Sequence, residues 1–456
     1  MIHCTLEHMT AAVRGEYRGS EEDYHKQITA VSTDSRKIEP GSLFIPLKGV
    51  RVDGHIFIDQ VIADGALTVF SEQDLGKKDF PYILVDSTRQ ALKDLAEFYL
   101  SALGIPVVGV TGSVGKTSTK EMIASVLSQR YCTLKTEGNF NNEIGLPLTI
   151  FRLREEDEIA VLEMGISDFG EMHRLAKIAR PDTCVVTNIG WCHLENLKDR
   201  DGILRAKSEI FDFLPKEGHI VLNGDDDKLQ TIDRVNGVKP LRFGFDPQAD
   251  VWADEVKNLG LHGVSCRMHT PAGDFEVTIP MPGRHMVYNA LAGTAVGLTY
   301  GLTLQEIRRG IEEIESISGR FHIIDTDRFT IIDDCYNANP VSMKASLQVL
   351  QDGIGRRIAI LGDMGELGEQ EKELHAQVGS FAAGLQIEAL YCAGPLSKYM
   401  AEAVKEDMLD IEVAHFETKQ ALMEALPALL QEGDTILVKA SHFMGFEEIV
   451  EQLQSM

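Results

Sequence analysis

Short runs of apolar residues recur along the chain from about residue 105 onward, and each run is followed by polar or glycine residues and then by helical periodicity. Runs that are apolar throughout, rather than alternating with polar residues, are typical of strands buried on both faces of a mostly parallel sheet. Ligands of such sheets bind outside the carboxyl ends of the strands, so the polar residues after each run are candidates for a functional site. The predicted strands are residues 105–110, 159–162, 184–186, 220–222, 329–332, 358–361 and 436–438.

The length of the chain and a change in its pattern predict three domains. A chain of 456 residues is too long for a single hydrophobic core. The first hundred residues have shorter strands, turns and a helical segment at 91–103, which places the first boundary at the end of that segment. A helical stretch at 312–318 ends before a new strand near His322, which places the second boundary. We therefore predict an α/β protein with three parts: a smaller N-terminal α/β domain (1–103), a central P-loop-type domain whose mostly parallel sheet has helices on both faces (104–318), and a Rossmann-like C-terminal α/β domain (319–456).

Composition narrows the class of protein. The hydrophobic fraction of 44% and the charged fraction of 25% are ordinary for a soluble protein. No segment approaches the roughly 18 apolar residues of a membrane-spanning helix, and the N-terminus does not resemble a signal peptide, so we expect a cytoplasmic protein without a membrane span. The net charge of −26 argues against a nucleic-acid partner, because phosphate backbones bind basic surfaces. The seven scattered cysteines predict reduced thiols rather than disulfides or a zinc site.

A glycine-rich turn after the first central strand predicts a nucleotide phosphate site. Residues 105–120 read IPVVGVTGSVGKTSTK, and the glycines allow backbone N–H groups to surround phosphate oxygens at the positive end of the following helix. Lys116 is placed to reach the outer phosphates and Thr117 to bind Mg²⁺. Val110 stands where the standard pattern has its first glycine, and the motif alone does not say which reaction follows. The predicted phosphate-binding residues are Gly112, Ser113, Val114, Gly115, Lys116, Thr117 and Ser118.

Three ionisable residues downstream are candidates for a site that binds Mg²⁺ and supports phosphoryl transfer. Glu163 ends a predicted strand, His193 follows another, and Lys207 lies in a predicted helix. Transfer of a phosphoryl group to an anion requires oxygen ligands for the metal and cationic groups around the phosphate. Each residue also has an ordinary structural interpretation, as a helix cap, a hydrogen-bonded histidine and a solvated lysine. Spacing alone leaves both interpretations open.

Five motifs, in order and in spacing, resemble those of the Mur ligases, the ATP-dependent enzymes that build the peptide of bacterial peptidoglycan. The T-G-x-x-G-K-T form of the phosphate loop is the one these enzymes use, which accounts for the missing first glycine. The motifs are T-G-x-x-G-K-T at 111–117, E-M-G at 163–165, N-I-x-x-x-H-L-E at 188–195, A-K-x-E-I at 206–210 and G-R-H-x-V-x-N-A-L-A at 283–292.

The resemblance implies roles for residues that match the family motifs. It implies ATP and Mg²⁺ as cofactors and a carbamylated side chain at Lys207, because a carbamate turns the lysine cation into an anionic oxygen ligand. The implied catalytic residues are Lys116, Lys207, His193 and Arg320. The implied ligands of the metal are Thr117, Glu163, His193 and Lys207. Besides the phosphate loop, the implied ATP-binding residues are Asn289 (at the adenine), Arg320, Asp334 and Asn337.

Other motifs resemble the members of the family that join D-alanyl-D-alanine to UDP-N-acetylmuramoyl-tripeptide. Together they imply a monomer whose N-terminal domain binds the UDP precursor, whose central domain binds ATP, and whose C-terminal domain receives the dipeptide and closes over ATP. The motifs lie at residues 33–36, 41–49, 53–55, 138–142, 333–340 and 361–368. The implied substrate contacts are Ser35, Arg36, Lys48, Asp53, Gly54, His55, Asn139, Asn142 and Lys439.

One motif departs from the family pattern. The last strand of these enzymes usually ends in K-G-S-R, whereas here residues 439–442 read K-A-S-H. Ala440 cannot adopt the positive φ values open to glycine, and His442 is not a permanent charge, so we expect a changed affinity or domain closure rather than loss of activity. The alternatives are a related Mur-type or folylpolyglutamate-type ligase with another amino acceptor, a P-loop regulatory protein, and a non-catalytic paralogue.

Overall fold

The computed structural model describes residues 4–315, 318–407 and 411–456. Within these ranges the chain forms three sheets in succession, each packed against helices. This architecture confirms the predicted three-domain α/β class, and the boundaries predicted after residues 103 and 318 fall between the sheets. The helical stretch predicted at 312–318 includes residues 316 and 317, which lie outside the described residues, and the helix before them ends at Glu312.

The N-terminal domain is built on a small mixed sheet. Its strands are β1 (Glu16–Arg18), β2 (Val31–Ser32), β3 (Leu43–Phe44), β4 (Thr68–Ser71) and β5 (Tyr82–Leu84), and its helices are α1 (Leu6–Val13), α2 (Glu21–Tyr24), α3 (Ile58–Ala63) and α4 (Thr88–Leu103). The strand order is β1-β5-β4-β3-β2, with β1 antiparallel to β5 and the others parallel. The helix predicted at 91–103 is α4, which starts earlier because the Ser87 side chain accepts a hydrogen bond from the Gln90 N–H and caps it.

The central domain contains the longest sheet. Its strands are β6 (Val107–Thr111), β7 (Thr133–Lys135), β8 (Ile159–Glu163), β9 (Thr183–Val186), β10 (His219–Asn223), β11 (Leu241–Gly244), β12 (Val251–Asn258), β13 (Val264–Thr270) and β14 (Gly273–Ile279). Its helices are α5 (Lys116–Leu127), α6 (Gly145–Ile150), α7 (Glu171–Ala179), α8 (Leu194–Leu197), α9 (Arg200–Ser208), α10 (His285–Thr299) and α11 (Leu304–Glu312). The order is β14-β13-β12-β11-β10-β9-β6-β8-β7, and β13 and β14 are the antiparallel members.

The C-terminal domain is a parallel sheet with one antiparallel edge strand. Its strands are β15 (His322–Asp325), β16 (Thr330–Asp333), β17 (Arg357–Gly362), β18 (Ala389–Ala393), β19 (Glu412–Phe416) and β20 (Thr435–Lys439). Its helices are α12 (Pro340–Leu350), α13 (Glu371–Ala383), α14 (Lys398–Asp407), α15 (Lys419–Leu429) and α16 (Glu447–Ser455). The order is β15-β16-β20-β17-β18-β19, so the ends of β16, β17 and β20 lie side by side.

The strand that leads to the phosphate loop separates two hydrophobic cores. Val108 and Val110 of β6 pack in the core under α5 and α10, whereas Val107 points to a core shared with the N-terminal domain. The Tyr99 hydroxyl of α4 donates to the Leu153 carbonyl at 2.8 Å, which ties the N-terminal domain to the central one. No helix among the described residues has the length and apolar character needed to cross a bilayer.

Candidate active site

The phosphate loop depends on its glycines for a close approach and for a turn. A Cβ atom on Gly112 would lie 1.9 Å from Thr187 Oγ1, so a larger residue would push the loop away from the end of β9. Gly115, immediately before α5, has φ of +81°, a left-handed conformation that is strained for other residues. The Lys116 ammonium lies at the start of α5 and donates to the Gly112 carbonyl at 2.9 Å. The loop therefore curls around the N-terminus of a helix, as an anion site requires.

Two polar residues at the end of β9 hold the loop in place. Thr187 Oγ1 donates to the Val114 carbonyl at 2.7 Å. The Asn188 amide donates to the same carbonyl at 2.9 Å and accepts from the Val114 N–H at 3.0 Å. These bonds fix the middle of the loop from outside.

Asn289 anchors the first turns of α5. Its Oδ1 accepts a hydrogen bond from Thr119 Oγ1 at 2.9 Å, and its Nδ2 contacts Met286 Sδ at 3.1 Å. The side chain is buried but borders the cleft described below. Its implied contact with adenine stays a prediction, and the structure adds a connection between α10 and the phosphate loop.

Glu163 supplies a buried oxygen that lacks a protein partner. The residue ends β8, is 2% exposed, and accepts a hydrogen bond from the Asn141 amide on Oε1 at 2.8 Å. Its Oε2 has no hydrogen-bond partner among the described residues. A buried carboxylate oxygen without a donor is costly, and a hard cation such as Mg²⁺ would satisfy it. This observation fits the metal site that the family resemblance implies.

Lys207 lies beneath the same region with an unpaired amine. It belongs to α9, is 1% exposed, and its Nζ has no hydrogen-bond partner among the described residues. Burial lowers the pKa of the Lys207 ammonium to about 8, and the nearby Lys116 charge adds to the effect. A neutral amine is the form that reacts with CO₂ to give a carbamate. The described residues contain no cluster of three His, Cys, Asp or Glu side chains that could hold a metal.

His193 meets a residue of the C-terminal domain. Its Nδ1 lies 2.7 Å from Glu366 Oε2, within ion-pair distance but without hydrogen-bond alignment. The interaction with His193 holds the pKa of the Glu366 carboxyl below its usual range. Both residues are in the left-handed region, with φ of 50° for His193 and 60° for Glu366. Sequence reasoning named the motif that contains Glu366 but did not select this residue.

On the C-terminal side, a buried ion pair organises the loop after β16. The Lys439 ammonium at the end of β20 donates to Asp334 Oδ2 at 2.5 Å and to the Asn337 carbonyl at 3.0 Å. Lys439 and Asp334 are 2% and 5% exposed. Lys439 therefore positions the loop, and its direct contact with substrate stays a prediction.

Tyr336 projects from that loop and was not selected from the sequence. Its ring lies 4.1 Å from the Arg320 guanidinium carbon and stacks on the His442 ring at 5.3 Å with an interplanar angle of 26°. Its hydroxyl interacts with the Asn139 side chain of the central domain. Ala440 is fully buried and is not among the described residues with positive φ, so the expected conformational penalty at this position does not arise. His442 places an imidazole ring at the cleft beside Tyr336.

These elements surround one cleft of about 860 Å³ between the central and C-terminal domains. Among the residues predicted for catalysis, for ATP and for the metal, Gly112 and Lys207 lie outside its lining, and Lys207 is fully buried. The predicted residues that line the cleft are Ser113, Val114, Gly115, Lys116, Thr117, Ser118, Asn139, Asn142, Glu163, His193, Asn289, Arg320, Asp334, Asn337 and Lys439.

The residues predicted to bind the UDP precursor form a separate group in the N-terminal domain. His55 Nδ1 lies 2.6 Å from Asp53 Oδ1, and His55 Nε2 accepts from the Glu72 N–H at 3.1 Å. Glu72 pairs with the Lys48 ammonium at 2.5 Å, a partner that sequence reasoning missed. Gly54 is required because a Cβ there would lie 2.9 Å from the Leu47 backbone nitrogen. The remaining members, Ser35 and Arg36, follow Asp34, whose carboxylate binds the exposed Arg36 guanidinium.

Comparison with known proteins assigns the family. Three Mur ligase models match the chain in succession: the "Mur ligase family, catalytic domain" over residues 27–100, the "Mur ligase middle domain" over 110–297 and the "Mur ligase, glutamate ligase domain" over 319–442. The chain belongs to the Mur ligase family. The expected resemblance is confirmed along the whole length of this Mur ligase.

Relatives and solved structures agree on one branch of the family. UDP-N-acetylmuramoyl-tripeptide–D-alanyl-D-alanine ligases of Bacillus subtilis and Escherichia coli are each 38% identical to this Mur ligase. The alignment with the Bacillus subtilis enzyme covers 99% of both chains, and the alignment with the Escherichia coli enzyme covers 100% of this chain and 99% of the relative. A crystal structure of MurF from Acinetobacter baumannii has a TM-score of 0.91 and 33% identity, with 99% of both chains covered. MurF ligase from Thermotoga maritima in complex with ADP has a TM-score of 0.83 and 29% identity, with 93% of this chain and 97% of that chain covered.

Proposed function

We propose that this Mur ligase joins D-alanyl-D-alanine to UDP-N-acetylmuramoyl-tripeptide at the expense of ATP, giving the UDP-linked pentapeptide, ADP and phosphate. The observation that carries the proposal is the cleft in which a phosphate loop faces an unpartnered buried oxygen of Glu163. The unpaired amine of Lys207 is buried close enough to Lys116 of this loop to interact with its charge. The names of full-length relatives at 38% identity support the choice of substrates.

The phosphate loop and two cations bind ATP. Backbone N–H groups at the start of α5 surround the β- and γ-phosphates, and Lys116 neutralises charge on the outer phosphate. Arg320, held over the Tyr336 ring, supplies a second cation from the C-terminal side of the cleft. With this charge neutralised, the terminal carboxylate of the tripeptide attacks the γ-phosphorus, the bond to the bridging oxygen of ADP breaks, and an acyl phosphate forms.

Thr117, Glu163, His193 and a carbamate on Lys207 would hold Mg²⁺. When bound, the metal would supply positive charge to the phosphate oxygens as the two anions meet. Asn141 positions the Glu163 carboxylate by its hydrogen bond. Burial lowers the pKa of Lys207 and so increases the fraction of neutral amine that can capture CO₂.

The second step transfers the acyl group to the dipeptide. The neutral amine of D-alanyl-D-alanine attacks the carbonyl carbon, a C–N bond forms, and the C–O bond to phosphate breaks as phosphate and a proton leave. Closure of the C-terminal domain, which already contributes Arg320, Tyr336 and Glu366 to the cleft, would exclude water that otherwise hydrolyses the acyl phosphate.

The proposal is tested by phosphate release from ATP with UDP-N-acetylmuramoyl-tripeptide, with and without D-alanyl-D-alanine. We expect release to require both substrates and the product to be heavier by one dipeptide less water in mass spectrometry. Release that requires a different amino acceptor would instead place the chain among the other ligases of the family. Tight ATP binding without release for any acceptor would refute the assignment as a ligase.

The carbamate on Lys207 has a separate test. Incubation with ¹³C-bicarbonate should give one protein carbamate signal in ¹³C NMR, and Lys207→Met should abolish it. Lys177→Met, which changes a half-exposed lysine of α7, serves as the control and should leave the signal unchanged. A signal that persists in Lys207→Met would contradict the assignment.

We also expect a monomer, to be checked by sedimentation, and a cytoplasmic reaction, because ATP and nucleotide-linked substrates are used.

A further inference from the structure

The loop after β17 is built to present one side chain. The Met364 N–H donates to His375 Nε2 at 2.9 Å, and the Gly365 N–H donates to Ser441 Oγ at 2.8 Å. These bonds come from two different elements and fix the backbone just before Glu366. The Glu366 side chain is 63% exposed and projects into the cleft between the domains.

The backbone conformation at Glu366 is unusual for its residue type. A left-handed φ of 60° is unfavourable for a non-glycine residue, and such conformations persist where neighbouring structure imposes them. His193, directly opposite, is also left-handed at 50°. Two residues with this conformation therefore face each other across the cleft, one from each domain.

Glu366 differs from the other carboxylates of the cleft because neither of its oxygens accepts an aligned hydrogen bond from the described residues. Its contact is the His193 imidazole, and no Lys or Arg within the described ranges lies within ion-pair distance of it. Six other carboxylates line the cleft, and each accepts an aligned hydrogen bond from the protein: Glu143, Glu163, Glu171, Asp225, Asp226 and Asp334. Among the described residues, Glu366 is thus the carboxylate of the cleft that is exposed and has both oxygens available to a new cationic partner.

The acceptor brings such a cation. If the proposed function is correct, the amine that attacks the acyl phosphate arrives largely as an ammonium, because free α-amino groups have a pKa of about 7.7–8.0. The cleft near the phosphates contains Lys116 and Arg320, which repel a cation. We propose that Glu366 binds the ammonium group of the incoming amino acceptor and holds it beside the phosphate site. The ammonium would replace the His193 imidazole as the partner of the carboxylate.

The inference is tested by steady-state kinetics of Glu366→Gln. The substitution removes a charge-assisted hydrogen bond, which contributes more to affinity than a neutral one. We therefore expect the KM for D-alanyl-D-alanine to rise about 10- to 100-fold. The KM values for ATP and for the UDP-linked tripeptide should change less than about twofold. Glu369→Gln is the matched control, because Glu369 is an exposed carboxylate in the same segment that does not line the cleft. Glu366→Asp keeps the charge and should recover part of the affinity.

A neutral analogue separates charge recognition from a structural effect. The dipeptide analogue in which a hydroxyl replaces the amine should inhibit the wild type and Glu366→Gln with the same inhibition constant. An equal loss of affinity for the amine and for its hydroxyl analogue would refute the inference, as would an unchanged KM for the dipeptide. If the wild type uses a different amino acceptor, the proposed substrate is wrong, and the same comparison with that acceptor still decides the role of Glu366.

Discussion

The ammonium of Lys439 and the carboxylate of Asp334 form a buried ion pair that closes the C-terminal side of the cleft, with Nζ 2.5 Å from Oδ2. The pair joins the ends of two neighbouring strands, β20 and β16. Asp334 also accepts a hydrogen bond from Ser346 Oγ at 2.6 Å, which extends the connection to α12. The loop that carries Tyr336 is therefore held by charge at its base.

Removal of one partner of this pair should destabilise the C-terminal domain. Lys439→Met leaves the Asp334 carboxylate buried without its counter-ion, and the cost of such a change is about 3–5 kcal/mol. We expect the urea midpoint of the C-terminal domain to fall accordingly. Lys439→Met combined with Asp334→Asn should recover much of the loss, whereas Arg308→Ala, which breaks the exposed pair with Glu312, should change stability by less than about 1 kcal/mol. An equal effect of all three would contradict the argument.

Lys116→Met should abolish turnover without unfolding the protein. The Lys116 ammonium borders the cleft and contacts the Gly112 carbonyl, so its loss removes charge at the outer phosphate. By comparison with other cations that stabilise phosphoryl transfer, the rate should fall about 10³-fold or more. Phosphate release measures this change, with Lys135→Ala, at an exposed lysine of β7, as the control. Near-normal release in Lys116→Met would remove the phosphate loop from the mechanism.

Lys207→Met should stabilise the protein while it inactivates the enzyme. Burial lowers the pKa of Lys207 from 10.5 to about 8, so at pH 7 the folded state carries a charged group that the unfolded state solvates better. In buffer free of CO₂, this difference in pKa lowers the free energy of unfolding by about 3 kcal/mol. The unfolded lysine keeps its proton up to its higher pKa, so wild-type stability should rise between about pH 8 and 10.5. Urea unfolding at both ends of that range checks the sign, and Lys207→Met should lack this rise.

His285 should make the interface between the central and C-terminal domains sensitive to acid. Its ring packs against Phe321 at 4.5 Å, and burial lowers the pKa of His285 from 6.5 to about 4. The unfolded state therefore binds a proton first as pH falls, and stability present above pH 6.5 is lost toward pH 4, by about 2–3 kcal/mol. His285→Phe should flatten the stability curve in this window, as measured by thermal unfolding. An identical pH dependence in both proteins would exclude His285 as the cause.

The sequence predicted the fold where strands are buried on both faces. All seven predicted strands are present, as β6, β8, β9, β10, β16, β17 and β20, with ends that differ by one or two residues. The antiparallel extension β13–β14 was missed because one face of these strands is exposed. In β12 the register shifts between Asp254 and Lys257, and Glu255 is left-handed, which breaks the alternation that would reveal a strand.

The candidate site was predictable to the extent that its residues are contiguous. The phosphate loop combines a strand, glycines and a helix start within one segment, so local sequence suffices to find it. The partners that define the other residues are distant in the chain: Asn141 reaches Glu163 across a strand, and His193 meets Glu366 across a domain boundary. That Lys207 is buried without a partner depends on the packing around α9, and no local pattern distinguishes it from a solvated helical lysine.

The cleft has one wall in the central domain and the other in the C-terminal domain. A compound that fills the cleft contacts both domains, and the domains of a multidomain protein can unfold in separate transitions. As the concentration of such a compound rises, the free energy of unfolding increases by RT ln(1 + [L]/Kd). Because the compound stabilises both domains together, their two unfolding peaks should merge in calorimetry. A compound confined to the phosphate loop would move one peak and leave the other in place. The shape of the melting curve would then sort inhibitors by how many domains they engage.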